Sequence, residues 1–152
     1  MSNSSINYNV VGITQQYIRL SGVSAKGSTN TLVYQLSTIA EQTGTGITVT
    51  NSAANGGYIS VATAGIYDVT LGNYNNSGSG QTVFIKKATS VSNSASGADS
   101  DLISYQYITS GTVGSVSTTV YLTTSDKLFF TSSYTPTNTY PLMNHVMVAR
   151  IS

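Results

Sequence analysis

The sequence predicts an all-β domain of the sandwich, jelly-roll or barrel type, and three observations lead to that prediction. Apolar and polar side chains alternate along most of the chain, which is the period of a half-buried strand. Clusters of Gly, Asn and Ser separate these runs and suit tight turns. No segment has a convincing helical period, and the nearest one, LSTIAEQ at 36–42, is too short to form a stable helix by itself.

Ten candidate strands follow one another along the chain, and they are rich in Val, Ile, Thr, Tyr and Phe. They cover residues 16–20, 31–36, 46–50, 57–61, 65–71, 82–87, 102–108, 116–122, 127–132 and 144–151. Strand 102–108 places Ile103, Tyr105 and Tyr107 on one face. Turn-forming residues lie between the strands, at 44–46, 55–57, 75–80, 94–97, 111–114 and 125–126. Short strands at regular spacing are typical of a sandwich or barrel.

The chain length of 152 residues fits one domain. Leu, Ile, Val and Phe make up about 24% of the residues, above the roughly 20% below which a chain tends to be disordered. We therefore expect residues 16–152 to fold as one domain. Residues 1–15 are polar apart from a short NYNVVGI segment, and we expect them to form an N-terminal arm.

The sequence contains few charged residues, and this argues against nucleic acid and anionic membranes as partners. Charged residues make up 7% of the chain, and the formal net charge is +1. The six basic residues are scattered, whereas a nucleic-acid or anionic-membrane surface needs clustered Lys and Arg. A net charge near zero favours association. The start of the chain lacks a signal-peptide pattern and no run of about 20 apolar residues occurs, so we expect synthesis in the cytoplasm and no membrane insertion.

Catalytic and metal-binding patterns are weak in this sequence, so we expect a non-enzyme without cofactor or metal. There is no cysteine and no Gly-x-Ser-x-Gly elbow, and His145 is the single histidine. A metal site at His145 would require copies of it from several chains, and a strand histidine is the simpler interpretation. Asp99 and Asp101 lack further calcium ligands in sequence. Lys86 and Lys87 could meet an anionic partner, but a solvated strand end explains them as well.

Three segments carry a family resemblance. GGYISVATAGIYDVTLGNY (56–74) has an apolar strand, an Ala-Gly corner and then Gly65, Ile66 and Tyr67 opening the next strand. STTVYLTTSDKLFFTSS (117–133) has an alternating strand, a turn with Asp126 and a second apolar strand. NHVMVARIS (144–152) is similar to a closing strand. Together they resemble the complement globular head and tumour necrosis factor (TNF) family over roughly residues 30–152.

The resemblance implies a ten-stranded jelly roll that assembles as a tight homotrimer. The residues that we assign to the subunit interface are Tyr67, Tyr121, Phe129, His145 and Met147. Within the sandwich or against a neighbour, Tyr67, Val69 and Leu71 form one packing face. The loops around 73–80, 94–101 and 133–142 are candidates for recognition, with Tyr74, Tyr134 and Tyr140 as their exposed aromatic residues.

Versions of this fold without collagen stalks resemble bacteriophage particle proteins. We therefore expect a virion protein: a trimeric capsid decoration protein that binds the major capsid protein or another virion protein through residues 1–15. The alternative is the receptor-binding knob of a tail or head fibre, which would recognise a glycan or protein on the host surface. A spore-surface or secreted cytokine-like ligand is a third interpretation, weakened by the lack of a collagen repeat or export signal.

Overall fold

The described part of the chain forms twelve β-strands. The structure is a computed structural model, and it describes residues 15–21, 23–29, 31–36, 38–90, 101–133 and 143–152. The strands are β1 (Tyr17–Ser21), β2 (Val23–Lys26), β3 (Tyr34–Leu36), β4 (Ile39–Thr43), β5 (Ile47–Ser52), β6 (Gly56–Val61), β7 (Gly65–Tyr74), β8 (Gln81–Ala88), β9 (Leu102–Ile108), β10 (Val113–Leu122), β11 (Lys127–Ser132) and β12 (His145–Arg150).

Ten of the strands form two five-stranded antiparallel sheets. The first sheet has the order β10-β7-β12-β1-β4, and the second has the order β5-β6-β11-β8-β9. Strands β2 and β3 pair separately as a small two-stranded sheet. Sheet neighbours are mostly distant in sequence, so the chain crosses repeatedly between the two sheets, as in a jelly roll. The predicted all-β sandwich is therefore confirmed.

The core lies between the two sheets, and the inward-facing side chains of the alternating strands fill it. In β7, Tyr67, Val69 and Leu71 are fully buried, while Ile66 and Asp68, which alternate with them, are exposed. Of the two alternatives for this face, packing inside the sandwich is correct. The second sheet supplies Ile59, Val83, Ile85, Leu128 and Phe130 to the same cluster.

The Ala64-Gly65 corner is the point where the chain changes sheet. Strand β6 ends at Val61 in the second sheet, and β7 begins at Gly65 in the first. Gly65 is not among the glycines with positive φ. A Cβ there would instead overlap the carbonyl oxygen of Ser152 and meet Arg150 Nε at 3.0 Å. Glycine is therefore required by the close approach of the C-terminal residues rather than by the turn.

Two strands were not predicted, and their surroundings explain why. All five residues of β4 are exposed, because β4 is the edge strand of the first sheet. An exposed edge strand shows no apolar alternation, and the sequence around it was closest to a helical pattern. Strand β2 pairs only with β3 among the strands described, and its register shifts between Val23 and Ala25.

A register shift also changes the predicted face of β9. The pairing of β8 with β9 shifts between Ile85 and Lys86. Ile103 lies at this irregularity and packs against the core, while Tyr105 and Tyr107 are 62% and 59% exposed. The expectation that all three side chains share one face is therefore wrong for Ile103, because a bulge reverses the alternation at that point.

Candidate functional surfaces

Three of the predicted interface residues lie on the outward face of the first sheet. His145 and Met147 alternate with the buried Val146 and Val148 in β12, so they point away from the core. Tyr121 projects from the edge strand β10 and is 57% exposed. Between them lies β7, so all three belong to one continuous sheet face.

The other two predicted interface residues lie elsewhere. Tyr67 is fully buried in the chain's own core, where its hydroxyl donates to the Thr63 carbonyl at 2.7 Å and burial raises its pKa. Phe129 is 2% exposed and lies on the outer side of the second sheet, with its ring centroid 6.1 Å from that of Tyr58. The structure therefore does not bring the five residues to one surface. Their roles between subunits stay predictions.

An exposed apolar group occupies one corner of the first sheet. Ile66 pairs with Tyr121 across β7 and β10, and the Ile151 amide donates to the Ile66 carbonyl at 2.8 Å. Ile66 is 38% exposed and Ile151 is 47% exposed. We call Ile66, Tyr121 and Ile151 the apolar corner. Sequence reasoning placed Ile66 in the fold motif, but only strand pairing reveals that it meets the other two.

Asp126, the acidic residue of the second motif, organises the turn between β10 and β11. Its carboxylate accepts from the Thr123 amide at 2.7 Å and from the Thr123 hydroxyl at 2.9 Å. The Lys87 ammonium lies 3.8 Å from the same carboxylate and donates to the Tyr121 carbonyl at 3.3 Å. Asp126 is only 9% exposed. This arrangement locks a turn and leaves the carboxylate committed to local partners.

The two adjacent lysines face different surroundings. Lys86 is 6% exposed and its ammonium lies 5.6 Å from the Phe84 ring centroid, whereas Lys87 points towards the Asp126 turn. Neighbouring residues in a strand point to opposite faces, so the pair does not make a basic patch.

Much of the predicted recognition surface lies outside the described residues. The residues outside the described part include Tyr134, Tyr140 and Asp99. They also include residues 1–14 of the arm and most of the loops around 94–101 and 133–142. Tyr74 is described: it is the last residue of β7, half-buried, and its amide donates to the Asn144 side chain at 2.7 Å.

The described acids are dispersed. Asp68 accepts from the Thr119 hydroxyl, and Glu41 forms an ion pair with Arg19 at 3.3 Å. Within the described ranges, no group of three or more His, Asp or Glu side chains could hold a metal ion. No helix in this part of the chain is long and apolar enough to cross a membrane.

A buried polar network closes the end of the sandwich where β7 and β11 finish and β8 begins. The Asn73 amide donates to the Tyr34 hydroxyl at 2.6 Å, and the Gln81 amide donates to Asn73 at 3.3 Å. The Ser132 hydroxyl donates to Gln81 at 2.9 Å. These four residues are at most 3% exposed. The network connects both large sheets and β3, and burial raises the pKa of Tyr34.

Lys26 lies beside this network. Its ammonium donates to the Ser132 carbonyl and sits 5.8 Å from the Tyr34 ring centroid. None of the described acids forms an ion pair with it. Partial burial without a counter-charge lowers the pKa of Lys26 to about 8.

Among the residues that the structure describes, the most exposed aromatic side chains lie on β9, at the edge of the second sheet. Tyr105 and Tyr107 pair with Phe84 and Thr82 of β8, on the side of the sheet that faces away from the core. The rings of Phe84 and Tyr105 are 6.3 Å apart with an interplanar angle of 37°. We call Phe84, Tyr105 and Tyr107 the tyrosine platform. The sequence did not predict this surface. Alternation shows which side chains of a strand share a face, but it does not show which strand lies at the edge of a sheet.

Comparisons with known proteins identify the fold. No protein-family model matches the chain, and no curated protein sequence matches it. Among solved structures, murine APRIL at pH 8.0 is similar with a TM-score of 0.67 and 11% identity, over 90% of this chain and 99% of that one.

Two further solved structures are similar to the chain over most of its length. Eiger TNF from S. frugiperda has a TM-score of 0.53 and 9% identity, over 91% of this chain and 92% of that one. Pika GITRL has a TM-score of 0.52 and 10% identity, over 91% and 96%. Likeness at these identities concerns the fold alone. The chain therefore has the all-β jelly-roll fold of TNF-like proteins, as the sequence motifs predicted.

Proposed function

We propose that this protein is a non-enzymatic structural protein of a bacteriophage particle, acting as a homotrimeric capsid decoration protein. The observation that carries the proposal is the apolar corner, which exposes Ile66, Tyr121 and Ile151 side by side on a rigid sheet. Contiguous exposed apolar groups favour association, because burial removes their surface from water.

Trimer formation through the first sheet is consistent with its charges. The outward face contains Arg19 and Glu41, which already pair with each other. Asp68 bonds to Thr119, and the rest of β10 presents Ser and Thr side chains together with Val113 and Tyr121. Because the face contains few charges, copies of it can associate with little desolvation of charged groups and little electrostatic repulsion.

The role that we assign to such a trimer is mechanical. A decoration trimer would bind where capsid subunits meet and add bonding area between them. The partner would be the major capsid protein or another virion protein, and the location would be the virion. We assign docking to residues 1–15, since an extended arm can add a strand to a neighbour's sheet edge.

Purified particles provide the test. We expect many copies of the protein per particle, and we expect deletion of residues 1–15 to abolish particle binding while sedimentation still reports a trimer. A handful of copies per particle would contradict decoration. Binding unchanged by the deletion would contradict the arm as docking element.

A second candidate function is the receptor-binding knob of a phage tail or head fibre. The tyrosine platform favours it, because exposed aromatic rings on a rigid strand are typical of recognition surfaces. A low copy number together with binding to host-surface glycan or protein would support this function over decoration.

A further inference from the structure

The tyrosine platform has the features of a saccharide-binding surface. Tyr105 and Tyr107 occupy alternate positions of β9, so their Cα atoms are roughly 7 Å apart along the strand. Phe84 extends the aromatic surface onto β8 beside Tyr105. The three rings therefore offer apolar area of a size that suits one or two sugar rings.

The platform also contains two phenol hydroxyls. Tyr105 and Tyr107 hydroxyls form no hydrogen bond with the described residues. Each tyrosine thus combines an exposed ring with a hydroxyl that can donate and accept. Sugars present a similar combination, with C–H groups on one face and hydroxyls around the rim.

The charges around the platform select among ligands. Strand β9 has the sequence LISYQYI and contains no charged residue. The neighbouring cation, Lys86, is 6% exposed, and Asp101 precedes the strand at the end away from Tyr107. Among the described residues around the platform, an acidic sugar or charged peptide would find no accessible counter-charge, so the platform is complementary to a neutral ligand.

The platform is also held rigid by its neighbours. Strand β9 pairs with β8 from Gln81 to Lys86. The Tyr107 hydroxyl lies against Gly80, and a Cβ at Gly80 would overlap it. A preorganised surface loses less conformational entropy when a ligand binds.

We propose that the tyrosine platform binds a neutral saccharide, with the apolar face of the sugar on the rings of Tyr105 and Tyr107 and its hydroxyls bonded to theirs. The proposal rests on the second candidate function and names the site and the ligand class for it. It places recognition on a strand of the second sheet, whereas the apolar corner belongs to the first sheet, so sugar binding and trimer formation use different sheets.

The test is binding of the full chain to an array of immobilised neutral oligosaccharides and their sialylated counterparts. We expect retention on neutral members, and a loss of roughly tenfold or more in affinity for Tyr105→Ser, because a stacked aromatic ring is worth about that factor. Tyr105→Phe should retain most of the binding, since the ring remains. Binding to sialylated members alone, or to none, would overturn the proposal.

Gly80→Ala tests positioning without removing a tyrosine, because the added methyl group must displace the Tyr107 hydroxyl. We expect it to weaken sugar binding, with the displacement visible in the Tyr107 ring signals by NMR. Leu32→Ser is the matched control, since Leu32 is an exposed apolar residue at 42% outside the platform. Equal loss in Leu32→Ser, or full binding in Tyr105→Ser, would contradict the site.

Sedimentation of the same samples separates this proposal from the proposed function. If Tyr105→Ser dissociates the oligomer, the platform is a contact between copies of the chain and the saccharide assignment is wrong. If sugar binding is lost while the trimer stays intact, the platform is supported. A wild-type chain that binds neutral sugar as a monomer would support the platform and contradict the trimer.

Discussion

At Gly65, the C-terminal residues of the chain run directly against the backbone of β7. The Ile66 amide donates to the Ser152 carbonyl at 2.9 Å, and that oxygen occupies the space that a Cβ at Gly65 would need. The glycine of the sequence motif therefore has a packing reason. It lets the end of the chain pair with β7 beside the apolar corner.

Gly65→Ala is expected to destabilise the fold by about 1–3 kcal/mol, the usual cost of an overpacked site. Denaturant unfolding monitored by circular dichroism measures this free energy. Removing Ser152 takes away the overlapping carbonyl, so the same substitution should cost much less in a chain ending at Ile151. An equal cost in both chains would show that the overlap is not the cause.

Lys26 gives stability a predictable dependence on pH. Its pKa in the folded chain is about 8, below the ordinary value of 10.5. Between these two pH values the unfolded chain binds more protons, so this residue makes stability rise with pH across that range. Below pH 8 the ammonium is charged in both states, and its burial opposes folding.

Lys26→Met should remove this contribution. We expect the difference in unfolding free energy, wild type minus variant, to increase from about pH 7 to about pH 9.5, a range that spans the pKa of Lys26 in the folded chain. Urea denaturation at several pH values measures the difference, and the other titrating groups cancel in it. Lys127→Met is the control, because the Lys127 ammonium donates to the Thr89 carbonyl at 3.0 Å. Lys127 begins β11, whereas Ser132, whose carbonyl accepts from Lys26, ends it. A flat difference for Lys26→Met would contradict the burial of its ammonium.

At the scale of elements, the polar network joins strands that are far apart in sequence. Tyr34 of β3, Asn73 of β7, Gln81 of β8 and Ser132 of β11 share hydrogen bonds inside the sandwich. A buried network of this kind is stable only when its members are all satisfied. It therefore specifies how the small sheet and the two large sheets meet at this end.

Tyr34→Phe tests the network. The substitution keeps the ring and removes the acceptor for the Asn73 amide together with the hydrogen bond to Ser132, so we expect a loss of about 1–3 kcal/mol from unsatisfied buried groups. Tyr105→Phe is the matched control, because its hydroxyl is on an exposed side chain, and it should change stability by less than about 0.5 kcal/mol. Thermal and denaturant unfolding would show the contrast, and similar effects of both substitutions would exclude the network as a source of stability.

At the scale of the whole molecule, the two large sheets expose different chemistry. The first sheet presents the apolar corner together with Tyr17, His145 and Met147, and the second sheet presents the tyrosine platform. Because these surfaces lie on separate sheets, one can be buried between subunits while the other stays open to a ligand. The proposed assembly and the proposed saccharide site are therefore compatible.

Tyr121→Ser should weaken self-association without unfolding the subunit, because the ring is 57% exposed in the single chain. We expect a shift from trimer towards monomer in sedimentation velocity at low concentration, with an unchanged circular dichroism spectrum. Tyr105→Ser removes a ring of comparable exposure from the second sheet and should leave the trimer intact. A wild-type chain that sediments as a monomer at all concentrations would refute the assembly itself.

The fold class and most of the strands could be predicted from the amino-acid sequence. Alternation needs only local information, since period two reports which side chains can face a core, and β11 was predicted at its observed bounds of Lys127–Ser132. The turn glycines Gly44, Gly56, Gly78 and Gly111 were also within predicted turns, and each has positive φ. Tyr67 was recognised as part of a packing face for the same reason.

The surfaces that those strands create depend on how the strands pair in three dimensions. Ile66, Tyr121 and Ile151 are distant in sequence and meet because β7 pairs with β10 on one side and with the C-terminal residues on the other. The same holds for Phe84 beside Tyr105, and for Ile103, which a bulge turns towards the core. Strand order and register arise from long-range pairing across both sheets, and alternation within one strand contains no information about its neighbours.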